Sequence, residues 1–186
     1  YDPLNDYVII VTLSGIFIID TEDASTVSEH SWYYANVVYS HYDYKSNMLF
    51  GAPQSDFDGA YILTSINLET DMTNDIGILE GVTYVAGITY DTLNDRLILQ
   101  TNHGLTIVDP EDASIISTHD SGGSVFGISY DPDTNKVFGL EQGVGFSLIS
   151  FNLNDYSVSN LGVIDGVTGI YGTTTYDPLN NYLISK

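Results

Sequence analysis

A Tyr-Asp turn signature recurs along the chain: YDPLNDYVII at Tyr1, HYDYKSNMLF at His41, TYDTLNDRLIL at Thr89, SYDPDTNKVFGL at Ser129 and TYDPLNNYLIS at Thr175. Its Tyr stands at 1, 42, 90, 130 and 176, giving spacings of 41, 48, 40 and 46. Units of about 40–45 residues that carry four short strands are propeller blades. Such a unit cannot bury its apolar faces alone and must stack on neighbours.

The residues between the signatures fit that reading. Asp far outnumbers Glu, and Asn and Gly are frequent, so turn formers are plentiful and helix formers few. Tyr, Val, Ile and Thr supply strand formers. Apolar runs are short and separated by turn signals, and no stretch keeps a 3.6-residue period. In the unit around Tyr90, strand A is expected at Thr83–Tyr90, a turn at Asp91–Asp95, strand B at Arg96–Thr101, strand C at Leu105–Asp109 and strand D at Ser114–Thr118.

A longer period lies over the shorter one. Residues 1–31 align without a gap to 90–120, and ILEGVTY at Ile78 matches VIDGVTG at Val163. The duplicated unit is therefore a pair of blades, about 1–89 and 90–175, within one propeller domain spanning 1–186. The expected fold is all-β, a propeller of four-stranded blades, with four blades or part of a larger ring or array. Strand A ending at Tyr176 can close onto 7–31, which leaves 176–186 as a surplus strand. Its apolar residues Tyr182, Leu183 and Ile184 would then form an edge able to template another chain. The chain begins at Tyr1 without a leader pattern and reads as a mature fragment or an excerpt.

The YDP-x-x-N-x-hydrophobic units resemble the repeats of YVTN-type and NHL-type β-propellers, and GLTIVD and GIFIID resemble the LVIVD-type surface repeat. The resemblance covers the whole chain. It implies a propeller but no activity, because such propellers include enzymes, scaffolds and cell-surface proteins.

Charge narrows the partners. Four Lys plus Arg against 25 Asp plus Glu give a net charge of −21. Nucleic acid and anionic lipid need a basic footprint that is lacking here. No run approaches the roughly 20 apolar residues of a membrane helix. The chain has no Cys, hence no disulfide framework, thiol nucleophile or zinc-thiolate site. A Lys-poor, Cys-free surface rich in Tyr, Thr, Ser, Asn and Asp points to an extracellular or cell-surface setting. No N-x-[ST] acceptor occurs in the sequence.

Candidate sites are few. Asp43, Asp91, Asp131 and Asp177 follow the repeat Tyr at equivalent blade positions. They either cap their own turns, which is the ordinary role of Asp there, or form a ring of carboxylates suited to Ca²⁺. Asp131, Asp133 and Asn135 have the D-x-D-x-N spacing of a calcium loop. Lys136 and Gln142 depart from the Gly and bidentate Glu such a loop requires. Asp56 and Asp58 pair in a loop and could bind Ca²⁺ weakly. His41 replaces the Thr89, Ser129 and Thr175 of other units and is a candidate channel residue. His30 and His119 are repeat equivalents, which favours a structural role. Trp32 and Tyr34 face one way on a strand and would stack on a sugar, anchor an interface, or fill a core. No G-x-S-x-G, S-x-x-K, HExxH or P-loop is present.

The expected function is a non-enzymatic extracellular interaction or structural module that self-associates into an oligomer or fibre. The alternative is a ligand-binding propeller holding Ca²⁺ or a glycan at the channel mouth. A metal-dependent hydrolase or lactonase comes third.

Overall fold

The computed structural model describes residues 2, 4–12, 14–31, 39–55, 59–165, 174–177 and 182–185, the last two segments as backbone. Every element is a strand. Blade 1 contains β1 (Tyr7–Thr12), β2 (Gly15–Asp20) and β3 (Thr26–His30). Blade 2 contains β4 (Ser40–Asp43), β5 (Met48–Gly51), β6 (Ile62–Asn67) and β7 (Met72–Ile78). Blade 3 contains β8 (Val85–Asp91), β9 (Arg96–Thr101), β10 (Gly104–Val108) and β11 (Ile115–His119). Blade 4 contains β12 (Val125–Asp131), β13 (Lys136–Gln142), β14 (Phe146–Asn152) and β15 (Val158–Val163). A hairpin of β16 (Thr174–Asp177) and β17 (Tyr182–Ser185) follows.

Each sheet is an antiparallel meander in chain order, and together they make a four-blade β-propeller. The expected strand B at Arg96–Thr101 is β9 itself. The other three strands expected in that unit lie within two residues of β8, β10 and β11. The last strand A departs from ring closure: β16 pairs with β17, from Thr174↔Ser185 to Asp177↔Tyr182, and not with β1. Pairing with the next strand in sequence closes a far shorter loop than pairing across the chain.

The inner strands β4, β8, β12 and β16 lie side by side. All seven residues of β8 are buried, while every residue of the outermost β15 is exposed. Apolar side chains alternate between the two faces of each strand, so each blade feeds the two seams beside it. Ile16, Leu49 and Ile66 fill the seam of blades 1 and 2. Leu63, Leu97 and Leu99 fill the next, and Ile98, Ile107 and Phe151 the one after.

Two repeated turns set the blades' spacing. After the inner strands β4, β8 and β12 the chain reverses through a left-handed residue, Asn47, Asp95 or Asn135, with φ of 54°, 55° and 53°, and Asp6 takes the same conformation before β1, with φ of 60°. Asp and Asn tolerate that conformation better than other residues with a side chain. The turn between the third and fourth strands uses Ala24, Asp71, Ala113 and Tyr156, with φ of 59°, 58°, 63° and 59°. An Asx side chain opens each of these turns, as where Asp109 Oδ1 accepts the Glu111 N–H at 2.8 Å.

Candidate functional site: the inter-blade seams and a cleft between blades 3 and 4

The Asp of each signature organises its own turn. Asp43 accepts the N–H of Lys45 at 3.2 Å and of Ser46 at 3.3 Å. Asp91, fully buried, accepts Asn94 Nδ2 and Arg96 Nε, each at 2.8 Å. Burial pushes the Asp91 carboxyl up, and the bonds from Asn94, Arg96 and Tyr130 outweigh it, holding the group below the usual carboxylate range. Asp131 accepts the Asp133 N–H at 3.0 Å and the Thr134 hydroxyl.

The repeat Tyr ties that turn to the preceding blade. Tyr42 donates to Asn47 Oδ1 at 2.9 Å in its own turn and to Asp2 Oδ2 at 3.4 Å. Tyr130 donates to Asn135 Oδ1 at 3.1 Å and also reaches Asp91 of blade 3. Tyr90 donates to Asp95. Burial, then Asp2, pushes the Tyr42 hydroxyl up to about 12.

A second set of contacts joins outer strands to the next blade. His30, Gly77, His119 and Gly162 occupy one register position, opposite Ile16, Leu63, Leu105 and Leu148. His30 Nδ1 hydrogen-bonds Asp71, the left-handed turn residue of blade 2. Gly77 lies against Ala113, the same turn residue of blade 3. His119 stacks on Tyr156, that of blade 4, with ring centroids 3.6 Å apart and planes 10° apart. The seams thus alternate between a large pair and a small pair. At Gly162 an added Cβ would meet nothing within 4 Å among the described residues. Ala24, the counterpart of buried Ala113, is exposed.

The sequence candidates are scattered over this frame. Asp43, Asp91 and Asp131 sit at one end of successive inner strands, each bonded within its turn. Asp131, Asp133 and Asn135 share one turn, where Asn135 Nδ2 donates to Asn154 Oδ1 at 2.7 Å. Among the described residues no three His, Asp or Glu side chains are grouped to hold a metal ion. His41 pairs with Phe50 and faces Tyr90 of blade 3, with ring centroids 6.4 Å apart. Burial pushes the His41 imidazole down to about 4, against the opposing pull of Asp43. Asp177, Tyr182, Leu183 and Ile184 lie on the β16–β17 hairpin, in register with one another only through Asp177↔Tyr182, Tyr176↔Leu183 and Thr175↔Ile184. Trp32, Tyr34, Asp56 and Asp58 fall outside the described residues.

A cleft of about 630 Å³ opens between blades 3 and 4, at the blade ends opposite the Tyr-Asp turns. Tyr84, Gln100, Asn102, His103, Asp120 and Ser121 line it. None of these residues belongs to a recognisable motif in the sequence. One signal was available: Gln100 interrupts the apolar run LILQT, where the equivalent strand positions hold Val11 and Leu140.

Known proteins bear on the fold. No family model and no curated protein matches the sequence. Solved structures do. A chain of a nidogen/laminin complex superposes with a TM-score of 0.78 at 12% identity, over 96% of this chain and 69% of that one. TolB from Acinetobacter baumannii gives 0.68 at 12% identity, over 93% and 44%. The chain is a β-propeller repeat protein. An auxiliary nutrient binding protein from Bacteroides thetaiotaomicron superposes at 0.64 with 13% identity, over 93% and 50%. The propeller described here spans half or less of the length of the last two. Likeness at this identity carries the architecture and not the chemistry.

Proposed function

We propose that this propeller is a non-enzymatic interaction module that associates head to tail, blade 4 of one copy receiving blade 1 of the next. The observation that carries the reading is the pair Gly162 and Ala24. Within the chain, Gly77 and Ala113 form the small pair of the seam between blades 2 and 3. Gly162 is the register equivalent of Gly77, and Ala24 matches Ala113 one blade pair away. Both are open. Leu161 and Val163 beside Gly162 are 54% and 69% exposed, and Ile10 on β1 is 44% exposed, an apolar surface fit for burial.

Backbone pairing supplies the second half of the contact. Among the described strands β1 is hydrogen-bonded only to β2. Its outer edge, bridged to Asp2 at Tyr7 and otherwise without a strand partner among the described residues, takes β16 of the neighbouring copy, which displaces Asp2 and leaves β17. β1 and β17 are near copies, YVII at Tyr7 and YLIS at Tyr182. Strand addition of this kind uses main-chain bonds for affinity and side-chain alternation for register.

The charge of −21 opposes association and makes it dependent on salt or a divalent cation such as Ca²⁺. A Lys-poor, Cys-free composition supports an extracellular or cell-surface setting for the assembly. The test is the mass in solution. Association predicts a concentration-dependent mass above the 20.4 kDa of one chain. A chain ending at Thr175, without the hairpin, would stay monomeric. Equal assembly by that shortened chain would refute the strand exchange.

A further inference from the structure

The cleft between blades 3 and 4 contains an unmet hydrogen bond. Gln100 is 4% exposed. Its Oε1 is the single buried side-chain nitrogen or oxygen among the described residues with no partner. Its Nε2 is engaged, donating to Ser121 Oγ at 3.2 Å and to the Thr101 carbonyl at 3.3 Å. Those bonds fix the amide plane and leave Oε1 as a buried acceptor without a partner, on a side chain that lines the cleft. A buried acceptor without a donor is costly, so a ligand that brings a hydroxyl or N–H there gains what the protein alone lacks.

The rim extends the same chemistry. Asp120 is exposed, with one carboxylate oxygen taking the Gly122 N–H at 2.9 Å. His103 Nε2 donates to the Gly81 carbonyl at 2.9 Å, which leaves Nδ1 as an acceptor in the neutral ring. Asn102 uses its Oδ1 on the backbone N–H of Thr83 at 2.8 Å and of Tyr84 at 3.3 Å, so its amide hydrogens serve as donors. Tyr84, 45% exposed, adds an aromatic ring to the lining.

We infer that this cleft binds a neutral saccharide. Acceptors on Gln100 and Asp120 stand beside donors on Asn102, which suits a ligand rich in hydroxyl groups, each both donor and acceptor. An aromatic wall suits the apolar face of a sugar ring. The lining holds no Lys or Arg, and the net charge of −21 repels an anion. A bare cation fits poorly, because Asp120 is the single carboxylate in the lining. The volume lies within the roughly 300–1,000 Å³ of small-molecule sites.

The experiment is an amide-resolved NMR titration of the full chain with maltose, cellobiose, lactose and xylobiose, and separately with CaCl₂. At least one disaccharide is expected to shift the Gln100 side-chain amide and the Gly122 and Gly123 backbone amides saturably. Gln100→Leu, which installs the residue found at the equivalent position 140, is expected to keep the fold and weaken binding on the order of tenfold. Tyr84→Ala at the exposed rim should weaken binding similarly and serves if Gln100→Leu fails to fold. The inference is overturned if no disaccharide moves these amides at about 10 mM, the weak end of specific affinity. It is equally overturned if Gln100→Leu and Tyr84→Ala bind as the unmodified chain does, or if CaCl₂ alone produces the shifts.

Discussion

Gly77 on the outer strand of blade 2 lies directly under Ala113 of blade 3: a Cβ placed on Gly77 would stand 2.9 Å from the Asp112 carbonyl oxygen and 3.1 Å from the Ala113 Cβ. The seams on either side use larger pairs at the same position, His30 with Asp71 and His119 with Tyr156. Consecutive blades are thus joined by keyed contacts that repeat every second blade. Gly162 and Ala24 carry the small members of that key, which is the basis of the proposed head-to-tail association.

Filling the small seam should loosen it. Gly77→Leu has a backbone oxygen in its way, and overpacked sites of this kind cost about 1–3 kcal/mol. Urea unfolding should show the midpoint falling by that equivalent. An unchanged midpoint would mean that the seam yields without cost.

Arg96 should matter more than a partly exposed position suggests. It is 17% exposed, and its Nε is the cationic partner of a fully buried Asp91 at 2.8 Å. Arg96→Met leaves that carboxylate uncompensated, a change worth roughly 3–5 kcal/mol when a buried pair is broken from one side. The loss should be partly recovered in Arg96→Met with Asp91→Asn. No recovery in the double variant would contradict the pairing.

Acid should destabilise the protein in two windows. His41 is held down to about 4 from 6.5, chiefly by burial. Between those values the unfolded chain binds a proton that the native state does not, so stability falls as pH drops from 6.5 towards 4. Asp91 is held below its ordinary value, so its contribution is present above that value and is lost as pH falls through the lower, native one. His41→Phe should flatten the first window in urea midpoints measured from pH 7 to 4. Titration of the His41 ring near 6.5 by NMR would contradict the burial argument.

Alkali should act through the repeat Tyr. Tyr42 is pushed up to about 12, first by burial and then by Asp2. A raised native value means the stabilisation is complete below about 10 and is lost as pH rises through 12. Absorbance titration should therefore resolve Tyr that ionise near 10 from Tyr that ionise only at higher pH or with unfolding. Tyr130→Phe, which removes the bonds to Asn135 and Asp91, should cost about 1 kcal/mol at neutral pH.

The fold was legible because the information is local. Asp91, Asn94 and Asp95 specify a turn by side-chain chemistry within five residues, and Arg96–Thr101 announces its strand by composition. The seam was half legible: the equivalence of His30 and His119 is plain in the blade-pair period. That of Gly77 is concealed by residue type: it follows the left-handed Asp71 at the same distance as His30 follows Ala24 and His119 follows Ala113, but it has no side chain to mark the position. The cleft was not legible. Gln100 and Ser121 are 21 residues apart and meet only once strand pairing brings blade 3 beside the start of blade 4. A turn Asp, by contrast, looks the same in sequence whether it caps its own backbone or faces a ligand.

The most direct measurement is light scattering of the full chain over a range of concentrations, at low salt and at about 0.15 M salt, beside the variant Ala24→Gln. Head-to-tail association predicts a mass that rises above 20.4 kDa with concentration and with salt, and a variant that stays at 20.4 kDa because its larger side chain cannot enter beneath Gly162. A mass of 20.4 kDa for both proteins under every condition would contradict it.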